Sequence, residues 1–225
     1  MKEIYMYENV INLFYQNRNP ERAIAMAAYM KNNFPFLGIP KPERSALGQG
    51  FIHLAKKGPS IDWDFVFRLW ELPEREFQYI AVDYLLALKS LLQKDDLAKL
   101  EVLTTRKSWW DTVDSLATIT GVLCARYPEL IADHIVRWAE AENIWLVRIS
   151  ILFQLKYKEK TDPELLSHII CRNSSTKEFF INKAIGWALR EYSKTNSEWV
   201  KTFIESVPLH PLSVREGGKY IFGQK

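Results

Sequence analysis

The chain's 225 residues are 48% hydrophobic and 25% charged, the balance of a folded globular protein rather than a disordered one. At this length roughly 70–75% of the unfolded surface is buried on folding, so no disulfide scaffold is needed, and Cys124 and Cys171 lack any CxxC or Cys/His spacing for a structural zinc. The formal charge of +3 is too small to demand a nucleic-acid partner, but residues 142–225 hold 13 basic against 9 acidic side chains, so the positive excess lies in the C-terminal part.

Taken in chain order, Met1 to Glu8 is broken by acidic residues and opens no apolar run, so it does not read as a secretory signal. No later stretch is apolar for long enough to cross a bilayer, and with two expected free thiols this predicts the cytoplasm. Helix starts follow. Asn19-Pro20-Glu21-Arg22 sets a capping Asn before a Pro at the first helical position, and Pro73-Glu74-Arg75-Glu76, Pro128-Glu129 and Asp162-Pro163-Glu164 repeat the signal. After Pro73, the residues Phe77, Ile80, Ala81, Tyr84, Leu85 and Leu88 recur at helical spacing; similar stripes run over Ile144 to Tyr157 and Phe179 to Tyr192. No alternating strand pattern occurs, so the predicted class is all-α.

Phe77, Trp110, Trp145 and Phe179 stand near the starts of successive stripes, 33, 35 and 34 residues apart. One helical hairpin cannot bury its apolar face alone, so a period near 34 predicts an α-solenoid of stacked HEAT-like helical pairs, forming a single domain over 1–225 with a concave, positively charged groove lined by the second helices.

Residues that interrupt the apolar stripes of those second helices are the candidates for function. In Lys107-Ser108-Trp109-Trp110-Asp111-Thr112-Val113-Asp114-Ser115, Ser108 with Asp111 reads as a near capping box, while Asp114 lies one turn beyond Trp110, which puts an indole and a carboxylate on one side of a helix. Arg148 is a lone charge inside the apolar run Ile144 to Phe153, and Gly186-Trp187 joins a second indole to a residue that admits close helix approach. Parallel stacking of these helices is expected to bring Trp110, Asp114, Arg148 and Trp187 into one groove. Spacing alone leaves their roles open: the indoles also suit a core, and Arg148 also suits a salt bridge, including one to Asp114. His53, His134, His168 and His210 lie far apart, and no HExxH, nucleophile elbow or Gly-rich phosphate loop is present, so metalloprotease, acyl-transfer and nucleotide-hydrolysis readings lack support.

The segments Met30 to Ile39 with Pro42-Glu43-Arg44, Leu69 to Glu76, Lys107 to Ser115, Ile144 to Tyr157 and Lys177 to Tyr192 resemble the AlkD-type DNA alkylation repair family over nearly the whole chain. The resemblance implies a HEAT-like, monomeric, monofunctional glycosylase, without metal or other cofactor. It would hydrolyse the N-glycosidic bond of N3- and N7-alkylated purines in double-stranded DNA and leave an abasic site. It also implies that Asp114 is the catalytic carboxylate, that Trp110 and Trp187 are its flanking aromatics and that Arg148 contacts a phosphate. Lys107, Lys183 and Arg190 are the further cations expected on DNA, beside Lys177, Arg215 and Lys219; Pro40 stands where a polar or basic residue is common in the family.

The residue types suit that chemistry. A cationic alkylpurine departs without a general acid, and the difficulty lies in the deoxyribose, which becomes oxocarbenium-like and is stabilised by a carboxylate aimed at it. Asp114 is expected to meet this need bare of any neutralising partner. The alternative is a non-catalytic HEAT-like scaffold that binds DNA or a protein along its groove.

Overall fold

The computed structural model describes residues 2–223, with side chains from Asn9 onward. Met1, Gln224 and Lys225, which belong to the domain expected over 1–225, lie outside the described residues. Thirteen α-helices and short 3-10 and π turns account for the described secondary structure, with no strand among the described residues. The chain clusters into two units, divided between Leu92 and Gln93.

The first unit holds α1 (Lys2–Gln16), α2 (Pro20–Tyr29), α3 (Lys41–Ala55), α4 (Trp63–Glu71) and α5 (Arg75–Ala87). Asn19 caps α2 by accepting the Arg22 amide at 3.0 Å, with Pro20 at the first helical position as expected. The stripe of α5 is buried throughout: Phe77, Ile80, Ala81 and Leu85 are wholly inaccessible. At its start Glu76, also inaccessible, accepts the backbone N–H groups of Leu37, Gly38 and Ile39 at 2.9–3.0 Å, which fixes the loop entering α3. Gly38 there has φ +85°, and a Cβ on it would lie 2.0 Å from the Asn19 carbonyl oxygen, so only glycine fits.

The second unit holds α6 (Asp96–Thr105), α7 (Trp110–Arg126), a π turn (Ile131–Ile135) running into the short α8 (Val136–Trp138), α9 (Ile144–Leu152), α10 (Pro163–Asn173), α11 (Phe179–Tyr192), α12 (Ser197–Ser206) and α13 (Pro211–Gly217). Helices α7, α9, α11 and α13 pack side by side in one row, and α6, α8, α10 and α12 back them. This is the stacking of helical pairs that the 34-residue period predicts: Trp110 opens α7, Trp145 is the second residue of α9 and Phe179 opens α11. Asp162 caps α10 through the amides of Glu164 and Leu165, and Pro163 follows it.

Three local expectations are corrected. Helix α9 stops at Leu152 rather than continuing to Tyr157. Pro128-Glu129 opens a turn and a π segment rather than a regular helix. Ser108 does not cap α7: its hydroxyl donates to Thr104 O at 2.6 Å, the capping position is Trp109, and the Asp111 carboxylate accepts the Thr112 amide at 2.9 Å. Cys124 is buried and Cys171 exposed, both as free thiols. No described helix is long and apolar enough to cross a membrane.

Gly186 on α11 makes the approach of α13 possible. An added Cβ would meet Glu216 Cβ at 2.5 Å and Ser213 O at 3.1 Å. Ser213, fully buried, donates its hydroxyl to Asn182 and locks the two helices together. Gly186→Ala is therefore expected to lower stability by about 1–3 kcal/mol, the usual cost of overpacking. The check is denaturant unfolding, in which the midpoint falls; an unchanged midpoint would show that α13 yields freely.

Candidate active site

Trp109 precedes α7 in extended conformation, φ −160°, and so sends its side chain away from that of Trp110. Its ring joins those of Trp145 and Phe180 in a cluster with centroids 5.0–5.7 Å apart, which ties together the N-terminal ends of α7, α9 and α11. Sharing Phe180 with the cluster is a cleft of about 360 Å³, lined by Trp110, Asp114, Arg148, Phe179, Phe180, Lys183, Trp187, Arg190 and Glu216. The four residues expected to share a groove do share one, and Lys183 and Arg190 line it with them. Lys107 does not; it sits in the turn before α7 with φ 50°. Trp110 and Trp187 are half-buried, unlike the core residues Trp70 and Trp138.

Asp114 and Arg148 form a fork. Arg148 Nε donates to Asp114 Oδ1 at 2.7 Å and Nη2 donates to Oδ2 at 2.9 Å, while Nη1 donates to the Phe180 carbonyl. Two expectations change with this geometry. Asp114 is not bare of a partner. Nor is the Arg148 guanidinium held out toward a phosphate: the residue is 5% exposed and places three of its five N–H groups on α7 and α11. Arg148 is the only charge in a helix of mean apolar character, and its cheapest partner in that setting is the carboxylate one repeat away.

The ion pair does not close the site, because the Asp114 side chain keeps 16% of its surface and faces the cleft. Its two oxygens each receive one hydrogen bond from Arg148 and retain lone pairs for a ligand. Burial pushes the Asp114 carboxyl above the usual carboxylate range, the Arg148 fork pulls it down and the charge of Asp111 adds to the rise. Glu216 carries no such rise: its hydrogen bond from Lys183 holds it below the ordinary value.

Phe180 and Glu216 were not singled out from the sequence. Glu216 had a legible signal. Asp114, Arg148, Lys183 and Glu216 follow at 34, 35 and 33 residues, so the period seen in the aromatics also runs through one line of charges. Among the described residues no three His, Cys, Asp or Glu side chains gather to hold a metal ion.

Fold and cleft together define a helical-repeat protein with a carboxylate set among indoles and cations. Comparison with known proteins makes the assignment specific. The sequence profile of a family described as DNA alkylation repair enzyme matches residues 10–221, and the chain belongs to that family. It is also similar to a solved structure from Enterococcus faecalis described as a predicted DNA alkylation repair enzyme, with 37% identity and a TM-score of 0.86, over 92% of this chain and 98% of that one. Among proteins with curated descriptions, none matches.

Proposed function

We propose that this DNA repair enzyme is a monofunctional glycosylase that removes positively charged N3- and N7-alkylated purines from double-stranded DNA and leaves an abasic site. The observation that carries the reading is an oriented carboxylate, Asp114, facing a ligand-sized cleft between Trp110 and Trp187. Its volume of about 360 Å³ suits a sugar and its neighbours.

The alkylated base carries a positive charge and leaves as a neutral molecule, so no acid is needed. As the C–N bond lengthens, the electron pair goes to the base and positive charge gathers on the deoxyribose. Asp114 stabilises that charge and accepts the proton of the water that attacks it. Arg148 weakens the attraction without cancelling it. For a sugar cation about 3.5 Å from the carboxylate and about 7.5 Å from the guanidinium, an effective dielectric near 20 gives about 5 kcal/mol of attraction against about 2 of repulsion. The difference is on the order of a hundredfold in rate. In return the fork fixes the carboxylate's orientation and favours its ionised form, so Arg148 acts as a positioning residue. Trp110 and Trp187 offer ring faces to the cationic sugar and exclude water around it. No amine nucleophile enters, so the backbone is left unbroken. The protein works as a monomer, without a cofactor, in the cytoplasm, where two unpaired thiols persist.

The test is to incubate the protein with methylated duplex and measure free 7-methylguanine and 3-methyladenine. Release of both with intact strands is expected; no release rejects the reading and leaves a DNA-binding scaffold. Because leaving-group charge drives the reaction, uracil and hypoxanthine in otherwise identical duplexes are expected to be released at least about a hundredfold more slowly, and comparable rates would remove the charge argument.

A further inference from the structure

The wall of the cleft formed by α11 and α13 carries a second carboxylate that the proposed chemistry does not use. Glu216 Oε1 lies 2.9 Å from Lys183 Nζ and Glu216 Oε2 lies 3.0 Å from Arg190 Nη1. Lys183, Trp187 and Arg190 follow at i, i+4 and i+7, so the two cations share one face of α11 and bracket the indole. Glu216 reaches both because Gly186 admits α13 so closely and Ser213 anchors it. The three charged side chains remain 39%, 25% and 20% exposed for Lys183, Arg190 and Glu216 respectively, so a ligand entering the cleft meets them directly.

A carboxylate bridging two cations presents what a phosphodiester presents: two oxygens on one centre, sharing a single negative charge. Glu216 and Arg190 are partly exposed and Lys183 more so, and an ion pair still open to water exchanges more easily than a buried one. We propose that Glu216 is a specificity-determining residue that fills, in the free protein, the seat of a backbone phosphate between Lys183 and Arg190 and yields it when DNA docks. The inference rests on the DNA reading above. Glu216 keeps both cations from gripping any passing polyanion. Its displacement is repaid where the deoxyribose also settles against Trp187 and Asp114, so loosely bound undamaged duplex is disfavoured. With Glu216 in place the phosphate seat is unfilled on undamaged duplex, and a phosphate neutralised there would add about 0.9 to the salt slope.

Binding to undamaged duplex, which involves no base release, tests the inference separately from the glycosylase reading. In Glu216→Gln the slope of log affinity against log salt is expected to steepen by about 0.9, equivalent to as much as about eightfold tighter binding at 0.1 M salt relative to 1 M. The preference for methylated over undamaged duplex is expected to shrink. An unchanged slope, or weaker binding by a variant with native melting behaviour, would overturn the inference and make Glu216 a simple strut. Lys183→Met gives a second reading without touching Glu216. If Lys183 moves to a phosphate when a damaged site docks, its loss makes the slope for methylated duplex, measured in the Asp114→Asn background to hold back base release, shallower by about 0.9; an unchanged slope there means that Lys183 stays on Glu216, and the proposal falls.

Discussion

Asp114→Asn is expected to slow release of 7-methylguanine by at least about a hundredfold while DNA affinity is retained or rises. The amide keeps the size of the side chain but carries no charge for the sugar cation and is a poor acceptor for the water's proton. Loss of the charge removes about 5 kcal/mol of attraction while the Arg148 repulsion remains, on the order of a thousandfold or more by the Coulomb estimate, and positioned acid–base groups typically add a further 10²–10⁴. Affinity should not suffer, because the substitution leaves the Arg148 charge uncompensated near a polyanion. Single-turnover release at saturating protein separates the rate from binding. Equal rates for native protein and variant would remove Asp114 from the chemistry and with it the catalytic reading.

The 34-residue period was legible because it follows from packing. Each helical pair must bury the same stripe against its neighbour, so Trp110, Trp145 and Phe179 recur at the N-terminal ends of α7, α9 and α11. Helix starts were legible where a side chain itself makes the cap, as at Asn19 and Asp162. They were misread where backbone geometry decides. Ser108 has the right chemistry for a cap, yet its hydroxyl bonds back to Thr104 within the previous helix, and α7 begins two residues later. Such competition between local acceptors leaves no trace in residue type.

For the site, the grouping of Trp110, Asp114, Arg148 and Trp187 was legible, and the Asp114–Arg148 ion pair was legible only as one of the readings that spacing leaves open. Family resemblance implied a phosphate contact for Arg148, but the burial that gives α9 its apolar character leaves that guanidinium inside the protein, where Asp114 is the nearest anion. Burial of this kind depends on how closely three helices approach, a property no single stripe encodes. Likewise, Lys183 and Arg190 read as free cations until α13 supplies Glu216, from a helix of only seven residues.

Arg148→Met is expected to move the acid limb of the pH–rate profile upward and to lower stability. In the native protein burial already raises the Asp114 pKa above the ordinary carboxylate value of about 3.9, with the Arg148 hydrogen bonds and charge opposing the rise. Activity requires the carboxylate, so the rate falls as pH drops through that raised pKa. Removing the guanidinium leaves burial and Asp111, both of which raise the pKa further, and the limb moves to higher pH. For folding the sign is opposite. A carboxyl whose folded pKa exceeds its unfolded value binds its proton more tightly when folded, so its contribution is fully present below the unfolded pKa and is lost as pH rises through the folded one. The variant, which leaves a buried carboxylate unpaired at a cost of about 3–5 kcal/mol, should therefore regain part of its lost melting temperature on acidification, within the window between those two pKa values. A guanidinium held on a DNA phosphate would give another pattern: a shallower salt dependence of binding, with the acid limb unmoved. Measuring kcat/KM against pH together with affinity against salt for the same variant distinguishes an arginine that aims the carboxylate from one that grips the backbone.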